Sequence, residues 1–284
     1  MKILMFGKTG QVATEIQRRA QDVTALGRDQ ADLIEPEACR AAVLAAEADL
    51  VLNAAAYTAV DQAEEDEATA FKVNAAAPTA MAEAAALRGL PFLHISTDYV
   101  FDGSGDTPWV EDAPTAPLGA YGRTKLAGEQ GIVAAGGAHV ILRTAWVHAA
   151  HGGNFLRTML RLADRERLTI VDDQRGGPTA AGDIAEALLT IARAFHEGRG
   201  TNGIYHFCGA PAVSWHGFAS EIFAMSQGPS PDCVPVPSSE YPTKAARPGN
   251  SVLECSKIAL DYGIAQPDWR VSLREILTEI EGET

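Results

Sequence analysis

A tyrosine and a lysine four residues apart, Tyr121 and Lys125, are the side chains of this sequence best suited to acid–base chemistry. On a helix they stand one turn apart on the same face. A phenol ordinarily loses its proton near pH ~10, and a neighbouring ammonium stabilises the phenolate. We therefore expect Lys125 to lower the pKa of Tyr121 and to make its proton available at a carbonyl or alcohol oxygen.

A hydroxyl group upstream could share that oxygen. Ser96 and Thr97 follow a predicted strand, 92–95, and either could hydrogen-bond the atom that Tyr121 protonates. Such a set suits the addition or removal of hydride at a carbonyl or alcohol carbon. The alternative is a tyrosine and a lysine on a solvated helix face, since this spacing occurs by chance in many proteins.

The beginning of the chain has the pattern of a dinucleotide-binding unit: an apolar strand, a glycine turn and a helix. Gly7 and Gly10 let backbone N–H groups approach a pyrophosphate, and Gln11 and Val12 are further predicted contacts. The N-terminus of the following helix, predicted over 13–21, favours the negative charge. Ala13 takes the third position, where a glycine is usual, and is small enough for close packing. A plain strand–turn–helix connection is the alternative.

The second predicted strand, 23–26, indicates which dinucleotide is bound. An acidic residue after this strand holds a ribose 2′-hydroxyl, whereas an arginine accommodates a 2′-phosphate. Gly27 followed by Arg28 favours NADPH, while Asp29 keeps NADH open; a surface arginine without a role is the third interpretation. Asp32 and Leu33 are predicted to edge the adenine pocket.

A third predicted strand, 50–53, ends in small residues against which a cofactor can lie. Ala55, Ala56 and Tyr57 are the predicted contacts. The acidic run at 61–67 then opens a predicted helix, 60–88, and we interpret it as a solvated first turn because acids there complement the helix dipole.

Strands and helices alternate through residue 147, which predicts an α/β fold with a Rossmann-type doubly wound parallel sheet. We predict a dinucleotide-binding domain over 1–147. A smaller C-terminal substrate-binding lobe over 148–284, with some segments returning to the Rossmann core, would close a cleft. Within it, the proline-dense stretch 229–248 is predicted to be irregular, and Ser272 to cap the last helix.

Composition excludes several classes of protein. The 284 residues carry a formal net charge of -14 and no basic tract, so we expect no nucleic-acid partner. No apolar run is long enough for a membrane span, and a strand begins too early for a signal peptide. The four cysteines are far apart in sequence and form no C-x-x-C pair, as expected of reduced thiols in a cytoplasmic protein.

In these features the sequence resembles the extended branch of the short-chain dehydrogenase/reductase superfamily and, within it, the dTDP-4-dehydrorhamnose reductase family. The strings that carry the resemblance run in order along nearly the whole chain. They are GKTGQV (7–12), NAAAYTAVDQAE (53–64), STDYVFDG (96–103), YGRTKLAGE (121–129), RTAWV (143–147), DDQRGGPT (172–179) and ARPGNSVL (246–253).

The resemblance implies a reductase of the C4 ketone of a dTDP-linked 6-deoxyhexose, yielding dTDP-L-rhamnose. Tyr121 would be the general acid, Lys125 would lower its pKa and bind the nicotinamide ribose, and Thr97 would polarise the ketone. The implied substrate contacts are Asp98, Tyr99, Trp146 and Arg247, the last at the diphosphate.

The resemblance further implies a homodimer and, in some relatives, a Mg²⁺ ion, for which Glu15 and Asp183 are the candidate ligands. Two other functions stay open. One is a nucleotide-sugar epimerase or another reductase of the same superfamily. The other is a non-catalytic regulatory subunit that keeps the fold.

Overall fold

The computed structural model describes residues 1–282. In chain order its strands are β1 (Ile3–Phe6), β2 (Val23–Leu26), β3 (Leu50–Asn53), β4 (Phe92–Thr97), β5 (His139–Thr144), β6 (Val147–His148), β7 (Arg167–Val171), β8 (Arg175–Gly176), β9 (Thr179–Ala180), β10 (Gly203–His206), β11 (Val213–Ser214), β12 (Asp232–Val236) and β13 (Asn250–Ser251). The α-helices are α1 (Gln11–Arg19), α2 (Pro36–Ala45), α3 (Val60–Ala63), α4 (Glu67–Phe71), α5 (Ala77–Leu87), α6 (Ala120–Ala134), α7 (Phe155–Arg161), α8 (Ala181–His196), α9 (Trp215–Met225), α10 (Ser256–Tyr262) and α11 (Trp269–Gly282).

The central sheet has six strands in the order β2-β1-β3-β4-β5-β10, and every neighbouring pair is parallel. β1 and β3 are buried along their whole length, as expected of strands covered by helices on both faces. The predicted α/β, Rossmann-type doubly wound parallel sheet is confirmed. The strand order reverses between β1 and β3, and such a switch point opens a crevice at the carboxyl ends of the strands.

Helix α6, which carries Tyr121 and Lys125, packs unusually close to its neighbours because of its glycines. A Cβ at Gly128 would lie 2.1 Å from the carbonyl oxygen of Asn74, and one at Gly122 would lie 2.2 Å from that of Tyr99. Only glycine permits such an approach. The two glycines therefore let α6 pack directly against the segment that contains Asn74 and the turn that contains Tyr99.

The helix predicted over 60–88 is divided into several pieces. A π-helical segment, Lys72–Ala76, joins α4 to α5, and a separate turn forms α3. The side chain of Asn74 within the π-helix bonds both the N–H and the carbonyl of Tyr57. Because π-turns occur mostly where a function demands them, this interruption is consistent with a segment that positions the residues after β3.

The C-terminal half contributes to both parts of the molecule. β10 extends the central sheet and α8 packs against α1, whereas α7, α9 and α11 enclose a separate apolar cluster that includes Phe218 and Trp269. Small sheets, β11-β8-β13, β12-β7 and β6-β9, complete this half. The boundary predicted at residue 147 stays a prediction.

Several local predictions are wrong. β12 lies inside the stretch 229–248 that was expected to be irregular, because it pairs in parallel with β7. Ser272 does not cap α11, which begins at Trp269; its hydroxyl instead donates to the Asp183 carboxylate at 2.7 Å. The cysteine prediction is not among these: Cys208 and Cys255, distant in sequence, are free thiols whose Sγ atoms lie 3.9 Å apart.

None of the helices within residues 1–282 combines the length and the apolar character that crossing a membrane requires.

Candidate active site

The glycine turn after β1 lies directly against the backbone that follows β3. Gly7 has a φ of 102°, which favours glycine, and a Cβ there would approach Ala54 and Ala55 backbone atoms at 3.2 Å. Gly10 is the N-cap of α1 and supplies no side-chain cap, so N–H groups of the first helical turn are left for an anionic group. Gln11 and Val12 follow as the first residues of α1, with Val12 buried in the core.

Thr97 and Tyr121 meet at the carboxyl edge of the sheet. Thr97 is the last residue of β4, and its hydroxyl lies close enough to the Tyr121 hydroxyl to lower the pKa of that phenol. Tyr121 packs against the same alanines as Tyr57, which places it beside the segment that faces Gly7. Burial raises the pKa of Tyr121, and the nearby Asp98 carboxylate adds to the effect.

Ser96, the alternative partner of Tyr121, is used elsewhere. Its hydroxyl donates to the Glu129 carboxylate at 2.5 Å, and Glu129 also receives two bonds from the Arg143 guanidinium, at 2.9 and 2.6 Å. Successive strand residues point to opposite faces, so only one of Ser96 and Thr97 can face Tyr121. The structure selects Thr97.

Lys125 is fully buried, and its contacts differ from those expected. Its Nζ bonds the carbonyl of Ile95 at 2.7 Å and lies 3.0 Å from Nε2 of His94. Burial lowers the pKa of Lys125 to about 8, while Glu129 opposes that change. The expected lowering of the Tyr121 pKa is thus wrong for this structure, because the amine is turned toward β4 and burial dominates at the phenol.

The predicted substrate contacts lie just after the carboxyl ends of two strands: Asp98 and Tyr99 follow β4, and Trp146 follows β5. Burial raises the pKa of Asp98 to about 6; its Oδ1 accepts from the Thr97 hydroxyl, and its buried Oδ2 has no hydrogen-bond partner. The Tyr99 ring meets Tyr121 edge-on, with 5.5 Å between centroids. Trp146 has a φ of 50°, unusual for a bulky residue, and stacks on Trp215 at 3.5 Å.

Arg247 reaches the same region and is held by an ion pair. Its guanidinium donates to the Asp61 carboxylate at 2.6 Å and lies close enough to Tyr99 to lower the pKa that burial raises there. Asp61 also accepts from the backbone N–H of Ala245 at 3.0 Å. Asp61 therefore fixes the segment that carries Arg247 against α3.

The acidic run 61–67 is largely exposed, as predicted for a solvated helix start, and several of its members also make specific contacts. Glu64 accepts from the backbone N–H of Ala120 at 2.7 Å and so caps the helix that bears Tyr121. Glu67 pairs with Arg123 on the same helix, and Glu65 pairs with Lys244. The run joins α6 to the C-terminal segment.

At the end of β2, basic and acidic side chains lie together. Arg28 is exposed, and a Cβ at Gly27 would lie 3.6 Å from Cδ of Lys8 and 2.6 Å from the Asp29 carboxylate. Further on, Asp32 accepts from the N–H of Ile34, and Leu33 is buried beside the Phe6 cluster. Lys8 thus adds a second cation at the predicted 2′-phosphate position.

The residues predicted to contact a cofactor after β3 remain partly accessible in the structure. Ala55, Ala56 and Tyr57 are half-buried. The N–H of Ala55 is bonded to the Asn53 side chain, and the hydroxyl of Tyr57 is buried without a hydrogen-bond partner. Buried polar groups are nearly always paired, so this hydroxyl fits a site that binds a polar ligand.

The structure gives no support to a magnesium site at Glu15 and Asp183. Burial alone would raise the pKa of Glu15, but His151, at 2.6 Å, and the arginines Arg18 and Arg19 hold it below its usual value. Asp183 accepts from Ser272. Within residues 1–282 no group of three or more histidine, cysteine or acidic side chains is arranged to hold a metal ion.

Comparison with known proteins assigns the family. The sequence matches the RmlD substrate binding domain over residues 1–281. A dTDP-4-dehydrorhamnose reductase of Burkholderia thailandensis is 46% identical over 298 residues, covering 98% of this chain and 100% of the relative. The chain belongs to the dTDP-4-dehydrorhamnose reductase family. As a member of this family it is an oxidoreductase.

Solved structures agree with this assignment. The dTDP-4-dehydrorhamnose reductase of Clostridium acetobutylicum superposes with a TM-score of 0.93 at 35% identity, over 99% of this chain and 100% of that one. The Bacillus anthracis reductase in complex with NADP gives a TM-score of 0.91 at 31% identity, over 98% of this chain and 100% of that one.

A relative with a different printed activity is also similar in sequence. A probable dTDP-4,6-dihydroxy-2-methyloxan-3-one 4-ketoreductase of Streptomyces antibioticus is 40% identical, over 99% of this chain and 96% of that protein.

Sequence reasoning did not single out four residues that lie beside the predicted site residues: Lys8, Asn53, His94 and Glu129. The buried strand residues Asn53 and His94 pair in register on β3 and β4, and His94 reaches Lys125. A polar residue inside a continuous apolar strand is the signal that could have drawn attention to them.

Proposed function

We propose that this protein reduces the C4 ketone of dTDP-4-dehydrorhamnose to give dTDP-L-rhamnose, with NADPH as hydride donor and Tyr121 as general acid. One observation carries the proposal. The half-buried Tyr121 lies close enough to the Thr97 hydroxyl for that hydroxyl to lower its pKa, at the sheet edge next to the glycine-bounded crevice. Both hydroxyls can therefore converge on one substrate oxygen.

The protonation state of Tyr121 suits an acid. Bound NADPH would supply hydride to C4, and the ketone oxygen would then gain negative charge. Since burial raises the pKa of Tyr121, the phenol keeps its proton at neutral pH until that oxygen demands it. An alkoxide is a far stronger base than a phenolate, so the transfer remains favourable. The Thr97 hydroxyl, which donates to Asp98 in the free protein, would turn to donate a second bond to the same oxygen.

Lys125 takes the role of compensating charge. Once Tyr121 has given up its proton, a buried phenolate remains, and an ammonium on the same helix face stabilises it. We assign the same amine to the nicotinamide ribose, because Lys125 lies one turn after Tyr121 on the same face of α6. Its present partners, Ile95 and His94, show that the amine is ordered.

The residues present fit a dinucleotide. Gly7, Gly10 and the uncapped start of α1 form a cradle for the pyrophosphate. Ala55 and Ala56 present little side chain, and the unpartnered hydroxyl of Tyr57 offers a polar contact. Arg28 and the neighbouring Lys8 favour a 2′-phosphate and hence NADPH over NADH.

On the substrate side, the free Oδ2 of Asp98 is suited to accept from a sugar hydroxyl, and the aromatic rings of Tyr99 and Trp146 to pack against the sugar. Arg247 is assigned to the diphosphate, since a planar guanidinium matches phosphate oxygens. Asp61 occupies one edge of that guanidinium and thereby orients it.

Substitution of the phenol tests the proposal. In Tyr121→Phe, turnover of dTDP-4-dehydrorhamnose with NADPH should fall by about 10²–10⁴-fold, the usual contribution of general acid catalysis. NADPH binding, followed by its fluorescence, should persist. Tyr262→Phe, on α10 away from the site, is the matched control. Near wild-type turnover in the Tyr121 variant would refute the mechanism.

A second candidate is the 4-ketoreduction of a different dTDP-linked sugar, favoured by the similarity to the Streptomyces 4-ketoreductase. Comparing kcat/KM for several dTDP-4-ketohexoses and a GDP-linked analogue decides between the two. Tightly held NAD that is recycled without net NADPH consumption would identify an epimerase instead. Binding without oxidation of NADPH by any of these sugars would identify a non-catalytic subunit.

A further inference from the structure

The buried residues Asn53, His94 and Lys125 form a hydrogen-bonded chain across two strands and the helix that carries Tyr121. The amide nitrogen Nδ2 of Asn53 lies 3.1 Å from Nδ1 of His94, and Nε2 of His94 lies 3.0 Å from Nζ of Lys125. All three residues are at most 1% exposed. No water competes for these bonds, so the position of each proton is determined by its partners.

The orientation of Asn53 determines the first bond. Its Oδ1 accepts from the backbone N–H of Ala55 at 3.1 Å, because that N–H can only donate. The opposite orientation would place the amide NH2 group against this N–H. Asn53 therefore presents its NH2 group to His94, and Nδ1 of His94 must be the acceptor.

The remaining proton of the imidazole then lies on Nε2. An imidazolium is excluded, since Nδ1 would carry a proton toward the Asn53 NH2 group, and burial holds the pKa of His94 well below its ordinary value. The Nε2–H bond is directed at Nζ of Lys125. Two donors cannot satisfy each other, so Nζ must offer a lone pair while donating one proton to the carbonyl of Ile95 at 2.7 Å.

We propose that Asn53 and His94 are positioning residues that lower the proton affinity of Lys125 in the free enzyme, because the Nε2 proton of His94 is donated to the lone pair of the neutral amine. The inference deepens the proposed function, on which its catalytic consequence rests. Lys125 must gain a proton before it can stabilise the phenolate of Tyr121, so the pair sets the pH above which the enzyme fails.

The other charged groups near Lys125 either favour its ammonium form or have no direct effect on its protonation. On its own helix, Glu129 attracts the ammonium but is neutralised by Arg143 from β5, and Tyr121 is uncharged. Asp98, beyond the end of β4, acts on Tyr121. Burial lowers the pKa of Lys125 to about 8, in the same direction as the imidazole bond.

The tautomer can be read directly from the free protein. Long-range ¹H–¹⁵N correlation spectra of ¹⁵N-histidine-labelled enzyme, with His94 assigned by its loss in His94→Gln, report which ring nitrogen is protonated. We expect Nε2 to carry the proton above about pH 8, where the amine of Lys125 is neutral. Protonation at Nδ1, or at both nitrogens, would overturn the proposal. Because this measurement needs neither substrate nor activity, it stands even if the proposed reaction is wrong.

The pH profile tests the consequence for catalysis. The amide oxygen of His94→Gln can accept from an ammonium, so the alkaline limb of kcat/KM should move upward by about one pH unit, a tenfold change in proton affinity. KM should change little. His139→Gln, at the amino end of β5, is the control and should leave the limb in place. An unmoved limb in the His94 variant, or an equal shift in the control, would contradict the proposal.

Discussion

Replacing the buried Arg143 should lower the free energy of unfolding of the protein by a large amount. Arg143 and Glu129 are each 2% exposed and joined by two hydrogen bonds of 2.9 and 2.6 Å. In Arg143→Met the carboxylate keeps only the Ser96 hydroxyl as a partner. Breaking one side of a buried ion pair costs about 3–5 kcal/mol because a charge is left unpaired, and we expect a loss of that size in the free energy of unfolding.

The free energy of unfolding is measured in urea, with tryptophan fluorescence as the signal. Variants are compared with the wild type where their m-values are equal. Arg123→Met, on the helix that carries Glu129, is the matched control. Its ion pair with Glu67 is nearly half exposed on both sides, so its loss should cost about 0–1 kcal/mol. The orphaned Glu129 carboxylate can take up a proton, so the deficit of the Arg143 variant should shrink as the pH falls.

A double variant separates charge from packing. Glu129→Leu with Arg143→Met removes both charges and should be clearly more stable than Arg143→Met alone. If the Arg143 variant lost less than about 1 kcal/mol, or if the two substitutions were additive, the pair would not be the desolvated interaction described above.

Three further predictions concern the proposed reaction. Replacing Arg247 by methionine should raise the KM for the nucleotide sugar about tenfold or more, as measured by steady-state kinetics, because a charge-assisted bond to phosphate is lost. Burial raises the pKa of Asp98 to about 6, so kcat/KM should fall as the pH drops below about 6 and the carboxylate is neutralised; Asp98→Asn should abolish that limb. The Lys8→Ala, Arg28→Ala double variant should lose preference for NADPH over NADH, seen in the ratio of their kcat/KM values, whereas an unchanged ratio would move the 2′-phosphate site elsewhere.

Much of the site could be predicted because its signals are local. A glycine that must adopt a positive φ, a polar residue at a strand end and a four-residue spacing on a helix are short-range patterns, and Gly7, Thr97, Tyr121 and Lys125 were found in this way. The alternation of strands and helices similarly predicted the sheet, because parallel strands need covering helices on both faces.

The direction of each side chain depended on the tertiary fold. Ser96 and Thr97 are neighbours in sequence, yet one joins a buried ion pair and the other faces Tyr121, because only the packed sheet defines which face is which. Asp61 and Arg247, on opposite halves of the chain, likewise meet only in the folded protein.

The sequence alone determined the strand–turn–helix order and the residues able to do chemistry, since both follow from backbone sterics and local spacing. The fold decided the electrostatics: burial raises the pKa of Tyr121, and two strand residues turn Lys125 toward β4. Desolvation and hydrogen-bond direction arise from all neighbours together, and those neighbours exist only when distant segments are packed against one another.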